Sequence, residues 1–160
     1  MSPLHTLLLS GLLLVSGPSV VLAAGTGGSS APPAEASARD TDYETGFQAY
    51  ERGDWPAVIT AMEKVIASKP WHDDAHNYLG YAYRKQGDYE QALEHYQKAL
   101  DLNPHHRGAM EYLGEAYLEL KQPDKARELL DRLTQECQRI GQDECEELED
   151  LQAAVAAYQP

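Results

Sequence analysis

The chain has 160 residues, of which 24% are charged, and its formal net charge at pH 7 is -13. A surface this acidic repels phosphate backbones and anionic lipid head groups, so the composition argues against nucleic-acid binding and peripheral membrane binding. It favours a partner that is neutral, apolar or basic.

An apolar segment opens the chain. Residues 7–24 are almost wholly apolar, interrupted by Gly17 and Pro18, and small or short side chains stand at 21–23. This pattern predicts a cleaved signal peptide at 1–23 and a protein that is periplasmic or secreted. Because no Lys or Arg precedes Arg39, an uncleaved membrane anchor is the alternative.

The next segment, 24–40, is rich in Gly, Ser, Ala and Pro and contains no large apolar residue. It cannot bury enough surface to offset its ordering entropy, which predicts a flexible linker. The folded domain is then expected at 41–159, which is long enough for one domain.

A repeat governs the rest of the chain. Gly46, Gly80 and Gly114 stand 34 residues apart, and Tyr-Leu-Gly-Tyr-Ala-Tyr at 78–83 returns as Tyr-Leu-Gly-Glu-Ala-Tyr at 112–117. That period is typical of a helix-turn-helix solenoid, which presents a surface and does not enclose a catalytic pocket. We expect helices near 41–52, 55–68, 73–86, 89–102, 107–120 and 123–139.

Other positions follow the same period. The middle repeat has Leu79, Gly80, Tyr83, Ala92, Tyr96, Ala99 and Pro104; the first has Val58, Met62, Val65 and Pro70; the third has Ala126, Leu130 and Leu133, with Gln138 in place of proline. This pattern resembles the tetratricopeptide repeat (TPR), in which a small residue lets the paired helices approach and a large one fills the gap between repeats. The resemblance implies an all-α solenoid of three repeats, at about 39–72, 73–106 and 107–140.

The turns agree with this register. Gly53-Asp54 and Gly87-Asp88 each supply a glycine that can end one helix and an aspartate that can cap the next. The third turn uses Gln122-Pro123, because proline is tolerated in a first helical turn.

Both cysteines lie near the carboxyl end. Cys137 falls near the end of the sixth helix and Cys145 near the start of a further helical pattern. With no Cys-x-x-Cys motif and no Cys-His cluster nearby, we predict a structural disulfide and not a redox or metal site. It would pin a capping helix at about 143–158, whose apolar stripe is Leu148, Leu151, Val155 and Tyr158.

Catalytic motifs are missing from the sequence. It has no glycine-rich phosphate loop, no nucleophile elbow and no His-Glu-x-x-His. His72 and His76 are four residues apart and His105 and His106 are adjacent, but no cysteine completes a four-ligand set. We therefore predict no enzyme activity, no cofactor and no metal.

The TPR resemblance implies that the first helices line a concave groove. Its predicted lining is Tyr43, Phe47, Tyr50, Asn77, Tyr78, Tyr81, Arg84, Glu111, Tyr112, Glu115 and Glu119. Aromatic side chains there offer a large contact area at a small entropic cost, although several of them could instead only fill gaps between helices. Some TPR domains clamp a terminal carboxylate with Lys, Arg and Asn; the corresponding positions here are Tyr43, Phe47, Tyr78, Gly108 and Tyr112, which argues against such a clamp.

The whole pattern resembles small exported TPR proteins of Gram-negative bacteria. The resemblance implies an interaction module or scaffold of the periplasm or cell envelope, which binds an extended peptide or a partner protein in the groove. The alternatives are a small-ligand or metal carrier and a self-associating envelope assembly factor. Neither the partner nor the oligomeric state follows from the sequence.

Overall fold

Seven α-helices make up most of the part of the chain that the structure describes, and that part contains no strand. The structure is a computed structural model, and it describes residues 34–141 and 145–159. The helices are α1 (Ala34–Glu51), α2 (Trp55–Ser68), α3 (Asp73–Lys85), α4 (Tyr89–Leu102), α5 (Arg107–Glu119), α6 (Pro123–Ile140) and α7 (Glu146–Ala157). The predicted all-α architecture of three helical hairpins and a capping helix is confirmed.

Helices α2 to α6 match their predicted bounds to within one residue. Helix α1 differs, because it begins at Ala34 and not at 41, so residues 34–40 of the predicted linker are helical. That stretch lacks large apolar residues but reads Ala-Glu-Ala-Ser-Ala-Arg-Asp, and alanine, glutamate and arginine favour helix without any burial. The predicted signal peptide at 1–23 and the linker residues 24–33 lie outside the described residues.

The first six helices form three hairpins. Helix α1 packs on α2, α3 on α4, and α5 on α6, and each hairpin packs on the next. The first helices of the hairpins, α1, α3 and α5, also contact one another in that order. Side chains from successive repeats therefore meet along one face, which is the geometry of a solenoid. No helix within the described residues has the length and apolarity needed to cross a bilayer.

Glycine permits the close approach inside two of the hairpins. A Cβ atom at Gly46 would lie 2.7 Å from Cε of Met62, and one at Gly80 would lie 2.6 Å from Cδ1 of Tyr96. Both pairings follow the predicted register, in which Met62 and Tyr96 are the large residues.

The third hairpin departs from this register. A Cβ atom at Gly114 would lie 2.6 Å from Cδ1 of Leu151, which belongs to α7. Leu130, the large residue expected by register, is only partly buried. The capping helix thus supplies the side chain that closes the last glycine gap.

Two apolar clusters form the core. One contains Val58, Met62, Val65 and Leu79 and joins α2 to α3, while the other runs from Ala92 in α4 to Leu151 in α7. Partly buried Tyr83 packs against both clusters. The core is therefore continuous through the stacked hairpins.

The turns inside the hairpins are built as predicted in the first two repeats. Gly53 and Gly87 have φ values of 70° and 81°, and the next residue caps the following helix: Asp54 Oδ1 accepts from the Ala57 amide and Asp88 Oδ1 from the Gln91 amide. In the third repeat Lys121 has a positive φ of 59°, and Gln122 makes no side-chain cap.

A disulfide joins α6 to the start of α7. Cys137 and Cys145 form this disulfide, and the predicted bridge is confirmed. Both cysteines are buried beside Leu151, while Gly141 ends α6 in the left-handed conformation. The observed α7, Glu146–Ala157, is shorter than the predicted capping helix at 143–158, whose residues 143 and 144 lie outside the described ranges.

Candidate functional site

Six aromatic side chains on the first helices form one surface, which we call the aromatic face. All six are half-buried, so each side chain packs against the fold and remains partly accessible to solvent. Its members are Tyr43, Phe47, Tyr50, Tyr78, Tyr81 and Tyr112.

Ring contacts run without a break across this face. Tyr50 lies at the centre, with its ring centroid 4.9 Å from that of Tyr78 and 5.1 Å from that of Tyr81. Tyr81 in turn lies 4.8 Å from Tyr112, and the Tyr50 and Tyr112 hydroxyl oxygens are 3.4 Å apart. Aromatic pairs in this edge-to-face geometry hold one another in place, so the face is preorganised.

Two aromatic residues beyond the predicted set extend the face. Trp55, the first residue of α2, lies 5.6 Å from Tyr81 by ring centroids, and His72 stacks on Tyr43 at 4.8 Å. Both follow turns, where the helical register gives no direction for a side chain. The 34-residue period therefore could not identify them.

The hydroxyl groups of Tyr43, Tyr50, Tyr78 and Tyr112 stay protonated near neutral pH. Burial is the main cause that raises the pKa of Tyr43, Tyr50, Tyr78 and Tyr112 above the ordinary value. Each hydroxyl can therefore donate to a carbonyl oxygen or accept from an amide of a bound backbone.

Arg84, predicted as a lining residue, is buried at 5% exposure. Its Nη2 lies 2.6 Å from Oε2 of Glu115, and its Nη1 lies 3.2 Å from Oε1 of Glu119. The guanidinium also lies over the rings of Tyr81 and Tyr112, at 5.2 and 5.8 Å from their centroids. Since its charge is already paired, Arg84 braces the aromatic face from beneath.

At the α7 end of the aromatic face lies a cavity of about 230 Å³, which we call the acidic pocket. Helices α3, α5 and α7 form most of its wall. The residues that define it are Asn77, Glu111, Tyr112, Glu146, Glu147 and Asp150.

Glu111 is the most perturbed carboxyl group of the pocket. Its side chain is 6% exposed, and burial together with the nearby charges of Glu115, Asp150 and Glu147 raises its pKa to about 8. Asn77, at the equivalent position one repeat earlier, is also 6% exposed, and its Oδ1 has no hydrogen-bond partner.

The histidines that the sequence analysis considered and set aside as metal ligands make other contacts in the structure. His72 and His106 cap α3 and α5, each accepting through Nδ1 from a backbone amide at 3.3 Å. His76 Nδ1 lies 3.0 Å from Nδ1 of His95, and His105 pairs with Glu136 at 2.8 Å. Within the described residues, potential ligand atoms cluster at one place, where His72, Asp73 and Asp74 lie within 4.8 Å of one another.

Family models settle the nature of the repeat. Two models described as tetratricopeptide repeat match residues 73–106 and 109–137, which are the second hairpin and most of the third. These two segments of the chain are tetratricopeptide repeats. The first hairpin shares the same architecture, since Gly46 meets Met62 as Gly80 meets Tyr96.

Solved structures share this fold. The TPR2B domain of yeast Sti1 in complex with pHsp70 has a TM-score of 0.67 at 19% identity, covering 76% of this chain and 98% of that one. The first TPR of Spaghetti (RPAP3) bound to an HSP90 peptide has a TM-score of 0.61 at 18% identity, covering 74% and 94%. MamA has a TM-score of 0.61 at 23% identity, covering 64% and 60%.

One curated relative is an enzyme. Prolyl 3-hydroxylase 1 of Gallus gallus is 41% identical over 64 residues, which are 36% of this TPR chain. The chain spans 9% of the length of that relative. So short a shared segment assigns no catalytic role to the TPR chain.

Proposed function

We propose that this protein is a non-enzymatic protein–protein interaction module that binds an extended polypeptide segment on its aromatic face. The observation that carries the proposal is the unbroken series of ring contacts from Tyr43 in α1 to Tyr112 in α5. These half-exposed rings hold one another in place, so they offer a large contact area and lose little side-chain entropy when a partner binds. Domains of the same fold, in Sti1 and RPAP3, are solved with pHsp70 and an HSP90 peptide.

The lining of the face favours a partner segment that is apolar, proline-containing or basic. Tyrosine hydroxyls can bond a backbone, while Glu146, Glu147 and Asp150 of α7 give that end of the face negative charge. A terminal carboxylate would be repelled there, and the one arginine of the predicted lining, Arg84, is already paired with Glu115 and Glu119. We therefore do not propose the chaperone-type carboxylate clamp.

We propose that the module works in the bacterial periplasm or cell envelope. The apolar segment at 7–24 and the bonded pair Cys137 and Cys145 support export to an oxidising compartment. Cell fractionation with amino-terminal sequencing of the mature protein tests this; a cytoplasmic protein that keeps residue 1 would contradict it.

The function is tested by finding the partner and then perturbing the face. Chemical crosslinking in intact cells, followed by mass spectrometry, identifies the trapped protein, and calorimetry with the purified partner gives its affinity. We expect Phe47→Ala and Tyr81→Ala each to weaken binding about tenfold, because aromatic anchors carry most of the energy of such interfaces.

Trp71→Ala is the matched control. Trp71 is the most exposed large apolar residue within the described ranges, at 68%, and it lies in the turn between α2 and α3 and not on the aromatic face. Its loss should leave the affinity unchanged. If Trp71→Ala abolishes binding while Phe47→Ala and Tyr81→Ala bind like the parent, the partner docks elsewhere and the proposal is wrong.

A further inference from the structure

The acidic pocket is lined by four carboxyl groups and, among the described residues, by no basic side chain. We infer that it binds one lysine or arginine side chain of the polypeptide that occupies the aromatic face. This inference rests on the proposed function, and it assigns to the partner a basic residue at the α7 end of the face. The pocket opens beside Tyr78 and Tyr112, which belong to both surfaces.

An unpaired acceptor lies in the wall of the pocket. Asn77 is 6% exposed, and its Oδ1 has no hydrogen-bond partner, although buried polar atoms are nearly always paired in folded proteins. The Asn77 amide lies against Gly108 of α5, where an added Cβ atom would come within 3.4 Å of Nδ2, so no side chain at that position competes for the amide. An ammonium or guanidinium group brings the missing donors and no acceptor.

Glu111 gives the pocket a second acceptor. Its side chain is 6% exposed, and none of the ion pairs among the described residues includes it. The nearest buried cation, Arg84, directs its guanidinium to Glu115 and Glu119. A buried carboxyl group without a counter-charge is costly, so an incoming cation gains a full charge-assisted hydrogen bond here.

The rim adds further negative charge. Glu146, Glu147 and Asp150 of α7 line the mouth, and none of the described lining residues is basic. Arg107 Nε lies 3.4 Å from Oε1 of Glu147, so one rim carboxylate is partly neutralised while the deeper Glu111 is not. The rim carboxylates therefore attract a cation, which can then pair with the deeper Glu111.

Shape also favours a single side chain. The volume of about 230 Å³ is smaller than that of a pocket for a drug-sized molecule. Tyr78 and Tyr112 form the aromatic side of the wall, and a cation gains from contact with such ring faces. A long side chain that enters from the aromatic face can pack its methylene groups on these rings while its charged end reaches Glu111.

Binding should strengthen as pH rises. In the empty pocket the pKa of Glu111 is about 8, so the side chain is mostly neutral at pH 6 and ionised at pH 9. A bound cation favours the ionised form, and binding near pH 7 therefore releases a proton. The ionisable groups around Glu111 are Tyr50, Tyr78, Arg84, Tyr112, Glu115, Glu146, Glu147 and Asp150.

The inference is tested with small probes of defined charge. Nuclear magnetic resonance titration of the purified protein with N-acetyl-argininamide and N-acetyl-lysinamide should shift the Gly108 amide and the Asn77 side-chain amide saturably, at millimolar concentrations. N-acetyl-glutaminamide, which is polar but shorter and uncharged, should cause no saturable shift. Agmatine, which carries a guanidinium group and a free amine but no peptide groups, should bind no more tightly than N-acetyl-argininamide.

Variants locate the binding. Glu111→Gln should weaken the arginine probe at least about tenfold, while Glu149→Gln, on an exposed position of α7 outside the pocket, should leave it unchanged. Asp150→Asn, which changes only an exposed rim residue, should weaken binding of the arginine probe about twofold to threefold. This variant provides the test if Glu111→Gln does not fold. Equal binding of the arginine and glutamine probes would overturn the inference. So would a Glu111→Gln variant that binds the arginine probe as tightly as the parent, or a parent protein that binds agmatine but neither peptide-like probe.

Failure here is distinct from failure of the proposed function. Phe47 and Tyr81 belong to the aromatic face but do not line the pocket. If alanine at these positions weakens the partner and Glu111→Gln does not, the interaction face stands and the pocket assignment falls. If none of these substitutions affects the partner, both fall.

Discussion

Two buried ionisable residues, on the neighbouring helices α3 and α5, have opposite electrostatic environments. Arg84 in α3 has two carboxylate partners and two aromatic rings around its guanidinium. Glu111 in α5 has carboxyl neighbours and no ion-pair partner among the described residues. The charge of Arg84 supports the fold, whereas ionisation of Glu111 has a cost that a bound cation could relieve.

This cost predicts a pH-dependent stability. The pKa of Glu111 is about 8 in the folded protein against an ordinary value of 4.5, so the folded state retains a proton that the unfolded state loses. The favourable contribution is complete below about pH 4.5 and is lost as the pH rises towards 8. Between pH 5 and 8 we expect the parent to lose roughly 1 to 3 kcal/mol of unfolding free energy relative to Glu111→Gln.

Urea denaturation of both proteins at several pH values measures this difference. Other titrating groups are common to the two proteins, so their effects cancel. A difference that stays constant from pH 5 to 8 would show that Glu111 ionises normally in the folded state.

Sequence reasoning at the residue scale succeeded where the repeat fixes a position. Tyr43, Asn77 and Glu111 are 34 residues apart, and the structure places them on successive first helices, as the register required. The repeat pattern did not show that Arg84 forms ion pairs with Glu115 and Glu119. A register predicts the direction of a side chain but not its partner. Trp55 was missed for a related reason, since a residue at a helix start can turn towards either face.

At the scale of elements, the capping helix α7 completes the packing of the third repeat. Leu151 of α7 fills the space above Gly114 that Met62 and Tyr96 fill above the equivalent glycines of the earlier repeats. The sequence predicted α7 and its apolar stripe, but it did not predict that Leu151 would take the place of Leu130 above Gly114. Which of two leucines, Leu130 or Leu151, reaches the glycine depends on the angle between α6 and α7, and a helical pattern does not encode that angle.

This role predicts unequal costs for two similar changes in α7. Leu151 is fully buried and Leu148 only partly, so Leu151→Ala should cost about 2 to 5 kcal/mol and Leu148→Ala less than half as much. Thermal or urea unfolding of the two variants provides the comparison. Equal losses would mean that α7 does not close the third repeat through Leu151.

At the scale of the whole molecule, the repeat fold explains why binding residues gather on one face. Stacked hairpins bring α1, α3 and α5 together, and α7 adds its carboxylates at the end of the row. A linear partner segment can then meet aromatic rings first and the acidic pocket last. The period and the turn chemistry predicted this architecture from sequence, because a solenoid is specified locally, one repeat at a time.

The most direct test of the central claim is to ask which face touches the partner. A photoreactive phenylalanine analogue replaces an aromatic side chain with little change of shape, so it can be placed at Tyr81 on the aromatic face or at Tyr117. Tyr117 is also half-buried on α5, but it lies in a different cavity, beside Lys125 and Leu129. We expect illumination to crosslink the purified partner from position 81 and not from position 117; crosslinks from 117 alone would contradict the account.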